Sequence, residues 1–162
     1  MNVKIRPITE LDAKTSVHWR NDKDVWVHTA FSANQPVTEQ AEIAWAKESI
    51  GNASSRRFAI IADDVYVGNV NLTHIENGEA EYSIFIGNKA FWGKGIAKKA
   101  SIEVLNYAKR VLSLESVRLG VSEKNAAAVK IYKSLGFVKY SEDERFTWMR
   151  LFMKDWVINE EV

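Results

Sequence analysis

The run Ile86-Gly-Asn-Lys-Ala-Phe-Trp-Gly-Lys-Gly-Ile-Ala-Lys-Lys99 joins an alternating apolar stretch to a helical one, with glycines set among basic residues. A strand-to-helix junction of this kind binds anions. Free backbone N–H groups and the helix dipole converge there, and glycine lets a phosphate approach the main chain. The two familiar phosphate loops do not fit. Gly87 lies one residue too far from Gly93 for a Gly-x4-Gly-Lys-Ser/Thr loop, and Gly95 stands where its hydroxyl belongs. The dinucleotide pattern G-x-G-x-x-G has Lys98 at its third glycine and follows a hairpin instead of opening a βαβ unit. A turn beside a solvated lysine cluster is the plainer alternative. Other chemistries lack their parts. The absence of cysteine excludes thiolate nucleophiles, disulfides and cysteine metal sites. His18, His28 and His74 lack ligand spacing, so no metal is expected, and no Ser/His/Asp arrangement stands out.

Periodicity predicts the strands and helices around this junction. Val3 to Arg6 reads as a strand stopped by Pro7, with Thr9 capping a helix over Glu10 to Trp19. A second helix is expected over Thr38 to Ile50, with Ala41, Ala44, Trp45 and Glu48 at helical spacing. Strands follow over Arg57 to Ala62, around Gly68 to Thr73, and over Glu79 to Ile86, with Asp63-Asp64 and Asn77-Gly78 as turns. Ala97, Ala100, Val104, Ala108 and Val111 share a face of a long helix from about Lys94 to Leu112. Ser116 to Val121 reads as a strand, and Asn125 to Leu135 as a helix capped by Gly136. Phe137 to Tyr140 and Phe146 to Lys154 complete the set. The order β-α-α-β-β-β-α-β-α-β-β predicts an α+β fold, one domain over residues 1–162. A net charge of +1 argues against nucleic-acid or anionic-membrane partners. No stretch approaches the ~18 apolar residues of a membrane helix, and a cytoplasmic protein is the expectation.

Trp92-Gly93-Lys94-Gly95-Ile96-Ala97 resembles the Q/R-x-x-G-x-G/A pyrophosphate loop of the GNAT acetyltransferase superfamily. Trp92 replaces the usual Gln/Arg, as in the subgroup acetylating ribosomal-protein N-termini, polyamines and amino sugars. The run from Asn125 to Phe137 resembles the second signature, N-x-x-A-x-x-x-Y-x-x-x-G-F, in the expected order and separation. The resemblance covers roughly Ile5 to Met153. It implies a mixed, mostly antiparallel sheet of six to seven strands flanked by about four helices, with acetyl-CoA as cosubstrate and no metal.

It also implies roles. Backbone groups of Ile84, Phe85 and Ile86 would meet the pantetheine arm, one N–H polarising the thioester carbonyl. The loop Gly93, Lys94, Gly95, Ile96, Ala97 and Lys98 would hold the pyrophosphate, with Lys98 or Lys99 near the phosphates. Asn125 would contact pantetheine or a water. Tyr132 matches the proton donor to the leaving thiolate, a phenol near ~10 facing a thiol near ~8.5; the alternative is a core tyrosine. An acceptor like lysine, pKa ~10.4, is almost wholly charged at pH 7, so a carboxylate base is expected. Glu81 is the candidate, Glu79 on the same face its rival, and His74 a third choice.

The resemblance implies that the first helices and the loop between them line the acceptor pocket. Here that region contains Trp19, Arg20, Asn21, Asp22, Trp26, His28, Phe31 and Trp45. The Trp19-Arg20-Asn21 element looks like that of acetyltransferases acting on nucleotide-linked amino sugars, with Arg20 for a phosphate or carboxylate and Trp26 or Phe31 for a ring. Trp19 and Trp45 could equally be core. A polyamine would favour the carboxylates Asp22, Asp24, Glu39 and Glu42; a ribosomal-protein N-terminus or an aminoglycoside is also open. A small amino compound is the leading expectation, and a non-catalytic CoA sensor is the rival from another class. Strand edges near the C-terminus could pair across a homodimer.

Overall fold

The computed structural model describes residues 1–27 and 35–160. Its elements are β1 (Val3–Pro7), α1 (Ala13–Arg20), α2 (Glu39–Gly51), β2 (Arg56–Ala62), β3 (Val65–Glu76), β4 (Glu79–Ile86), α3 (Ile96–Arg110), β5 (Ser116–Val121), α4 (Ala126–Leu135), β6 (Val138–Glu142) and β7 (Thr147–Phe152). The strands form one seven-stranded sheet in the order β1-β2-β3-β4-β5-β7-β6. Every neighbouring pair is antiparallel except β4 with β5. Four helices and a mostly antiparallel open sheet match the expected fold class.

Local chemistry explains the boundaries. Asp63 and Asp64 turn β2 into β3, and Asn77 and Gly78 turn β3 into β4, each with two successive positive φ values. That is the geometry a two-residue hairpin requires. Pro7 closes β1 from within instead of stopping it, at the end where a missing N–H costs least. The first helix opens with a single 3-10 turn, Glu10–Asp12, before α1. There the Asp12 carboxylate accepts from the Thr9 N–H at 2.8 Å and pairs with Arg6. α3 starts two residues later than expected because Gly93 and Gly95 are both left-handed. It ends at Arg110, which leaves Val111 exposed.

The sheet carries a layer on each face. On one, α3 and α4 cover Phe58, Ile60, Val70, Leu72, Ala80 and Tyr82 in the main core. On the other, Ile8, Ala13, Ala46 and Ala59 form a smaller cluster with Ile43, Trp45, Ile61 and Tyr66 beneath α1 and α2. The buried face of α2 is Glu42 and Ala46, whereas Ala41, Ala44 and Glu48 point to solvent. Arg20 draws that face inward: its Nε lies 3.2 Å from Glu42 Oε1, which Ser16 Oγ also reaches at 2.9 Å.

Candidate active site

β4 and β5 pair only from Glu79–Glu81 against Ser116–Arg118. Beyond Tyr82 and Leu119 no pairing joins them, so the sheet opens into a wedge. Glu79 holds its closed end. Its carboxylate accepts from Ser116, from Arg118 at 3.0 Å and from Arg150 at 2.8 Å. Burial alone would raise the Glu79 carboxyl, but these hydrogen bonds outweigh it and hold it at about 2.

The open end exposes main chain. The Gly87 N–H donates to Val67 at 2.8 Å. By alternation Phe85 directs its backbone groups to β3, while Ile84 and Ile86 turn theirs toward the wedge. The Ile86 carbonyl already accepts from Trp92 Nε1 at 2.8 Å, which ties the glycine loop to the strand. That leaves both main-chain groups of Ile84 and the Ile86 N–H to offer. The loop then enters α3 with Gly95 as its N-terminal cap. A Cβ at Gly93 or Gly95 would meet nothing within 4 Å. Glycine is needed there for the left-handed backbone, and the surface above is open for a ligand. Lys94 and Lys98 are exposed beside it. Lys99 instead turns to the N-terminus, its Nζ 3.0 Å from the Met1 carbonyl.

Two cavities flank the wedge. One, of about 520 Å³, is lined by Ile84–Ile86, Phe91–Ala97, Asn125, Tyr132 and residues Asp24, Val25 and Val27. The other, of about 240 Å³, holds Glu81, Tyr82, Ser83, Ile84, Asn125, Tyr132, Phe146 and Trp148. Ile84, Asn125 and Tyr132 border both. Asn125 caps α4 by accepting from the Ala128 N–H at 3.2 Å, so its amide NH2 is what remains for a ligand. Burial pushes the Tyr132 phenol up to about 12, with the nearby Tyr82 hydroxyl opposing the shift. Tyr82 itself is fixed by Ser101 at 2.6 Å. Tyr132 is thus a protonated phenol at the meeting point of the two cavities. Glu81 lies 3.6 Å from His74 Nδ1 and 3.8 Å from Arg118 Nε.

On the face of α1 and α2, Trp19 is 8% exposed and packs on Tyr66 and Phe85 with ring centroids 4.7 and 6.0 Å apart. Trp26 donates to the Trp19 carbonyl at 2.7 Å and packs on Phe85 at 4.6 Å. Arg20 sits among Trp26, Trp45 and Phe85 and pairs with Glu42. Its carboxylate partner is therefore part of the chain. Of the carboxylates a polyamine would favour, Glu42 is buried on Arg20, and Asp22 and Asp24 meet on Lys89 at 2.9 and 2.8 Å. Phe31 and His28 lie outside the described residues. Periodicity had not singled out Arg57, Asn71 or Tyr82. Alternation along their strands puts Tyr82 on the core face and the other two opposite, but only the fold shows what they meet.

Residues 2–138 match the family model described as acetyltransferase (GNAT) domain. Spermidine N(1)-acetyltransferase of Escherichia coli strain K12 is 29% identical over 141 residues, covering 84% of this chain and 73% of the relative. Acetyltransferase PseH of Campylobacter jejuni is 22% identical over 156 residues, covering 94% and 96%. The crystal structure of Vibrio cholerae spermidine N-acetyltransferase in complex with CoA and spermine superposes with a TM-score of 0.85. It shares 22% identity, over 94% of this chain and 96% of that one.

Proposed function

The chain belongs to the acetyltransferase (GNAT) family and is an acetyl-CoA-dependent N-acetyltransferase, and from that premise we propose that it acetylates a small primary amine by direct attack on the thioester, both substrates bound together. The observation that carries this reading is the wedge between β4 and β5, with Tyr132 and Asn125 on its wall and the glycine cradle at its mouth.

Acetyl-CoA supplies an activated acyl group, and the chain supplies the rest. The N–H groups of Gly93 to Lys98 hold the pyrophosphate, and Asn125 offers its amide NH2 to the pantetheine. The Ile84 N–H stabilises charge growing on the thioester oxygen. Glu81 takes a proton from the acceptor ammonium, directly or through a water. The nitrogen–carbon bond forms as the carbon–sulfur bond breaks, Tyr132 gives the sulfur its proton, and one proton passes to solvent. A phenol at about 12 is a reluctant acid toward a thiol near ~8.5. A thiolate formed in the same buried wedge is also pushed upward, which narrows the gap.

For the acceptor, a small amino compound such as a nucleotide-linked amino sugar is the leading reading. A polyamine is the second, favoured by the likeness to spermidine acetyltransferases. Thiol release from acetyl-CoA across a panel of both classes tests the proposal. Tyr132→Phe should lower kcat by about 10²-fold or more while CoA affinity is kept. Unchanged kcat would remove Tyr132 from the mechanism.

A further inference from the structure

Among the described residues, the buried side-chain atoms without a hydrogen-bond partner are Arg57 Nε and Asn71 Oδ1. They belong to directly opposed residues of β2 and β3. Opposed residues project from one face of a sheet. Here it is the face of Glu81 and Ser83, because Asn71 opposes Ser83 and Thr73 opposes Glu81. One orphan is a donor and the other an acceptor. Native structures rarely leave such atoms unpaired unless a ligand or water completes them.

Charge points the same way. Arg20 and Arg57 both rest on the Trp45 ring, with centroid distances of 4.6 and 5.0 Å. The carboxylate beside them, Glu42, pairs with Arg20. Among the described residues Arg57 forms no salt bridge. Burial and the charge of Arg20 both weaken its hold on its own proton. A partly buried guanidinium in this state favours an anion. The row connects to the chemistry: Asn71 Nδ2 donates to Ser83 Oγ at 3.2 Å, and Ser83 borders the cavity of Glu81 and Tyr132. From β2 to β4 is two strand spacings, about 10 Å, within the span of a sugar-sized amine.

We infer that Arg57 and Asn71 hold the body of the acceptor, and that the acceptor is an amine bearing an anionic group beside a hydroxyl, not a polycation. The anion accepts from Arg57, and the hydroxyl donates to Asn71 Oδ1. This rests on the acetyltransferase reading above and names its substrate class.

Calorimetric titration of CoA-saturated protein with glucosamine 6-phosphate, inorganic phosphate and spermidine tests it, beside turnover with the two amines. The phosphorylated amine should bind about tenfold or more tighter than spermidine, and inorganic phosphate should compete with it. Arg57→Met should raise its KM about tenfold with kcat little changed, and Arg57→Lys should recover part. Asn71→Asp separates function from packing. It gives Arg57 an internal carboxylate, so the melting temperature should rise while the phosphorylated amine weakens about tenfold.

Preference for spermidine, absence of phosphate binding, or phosphate binding without competition would overturn the inference. So would Arg57→Met and Asn71→Asp leaving the phosphorylated amine unaffected. The third case would place the anion in the separate cavity that Arg57 borders between Gly51–Ser55 and Tyr107. If acetyl-CoA neither binds nor releases thiol with any amine, the catalytic reading fails instead.

Discussion

Glu79 and Glu81 share a strand and a face yet sit in opposite surroundings. Glu79 is enclosed by Ser116, Arg118 and Arg150, while Glu81 touches only the fringe of that network and opens onto the cavity of Tyr132. The first has the environment of a clamp and the second that of a base. Glu79→Gln should cost about 1–3 kcal/mol in urea unfolding at pH 7, since it leaves two arginines half paired at a partly exposed site. The Glu79 carboxyl is depressed from 4.5 to about 2 in the folded chain. Its stabilising contribution is therefore whole above roughly pH 4.5 and disappears as pH falls from there through about 2. Unfolding measured across that window should show a loss in the wild type that Glu79→Gln lacks. Glu81→Gln should do the reverse: kcat falls about 10–100-fold, with stability within about 0.5 kcal/mol of the parent. Equal effects of both substitutions on rate would return Glu79 to candidacy.

The glycine loop and its helix act as one element, and two glycines eight residues apart test different parts of it. Gly95 has φ +75 and open space where a side chain would project. Gly95→Ala should therefore cost only about 1 kcal/mol of stability but raise the acetyl-CoA KM about tenfold, by bending the N–H groups off target. Gly87 is constrained by contact instead, since a Cβ there would lie 2.0 Å from the Trp19 ring. Gly87→Ala should displace Trp19 and destabilise the fold by about 1–3 kcal/mol, visible in near-UV circular dichroism. Elements of this kind were legible in the sequence because their signals are local. The Asn77-Gly78 turn, the alternation of β4 and the Gly136 cap each depend on a few neighbouring residues. The buried face of α2 was not legible because Glu42 is held inward by an arginine 22 positions earlier in the chain, and no period within α2 carries that information. The same holds for the site. The anion-binding character of the loop could be read from its glycines, and Asn125 and Tyr132 entered through the resemblance to the second signature, whereas the Arg57–Asn71 pairing exists only once β2 and β3 are in register.

At the scale of the molecule, the wedge is a sheet that lacks a strand's worth of hydrogen bonds where β4 leaves β5. β5 is held along its full length by β7, and β4 by β3, so each half is rigid without the other. Closure by a ligand would thus need little rearrangement, and the ligand's amides would complete the edge as an added strand does. Hydrogen exchange can read this residue by residue. Phe85, bonded toward β3, should be protected in the free protein and change little on adding CoA. Ile84, whose N–H faces the wedge, should exchange fast in the free protein and slow when CoA fills it. At about 100 times its dissociation constant, CoA should also add about 2.7 kcal/mol to unfolding. Slow exchange at Ile84 without CoA would mean that β4 and β5 already pair there. Protection of Phe85 alone would put the ligand on the other edge, and either result would remove the wedge as the seat of acyl transfer.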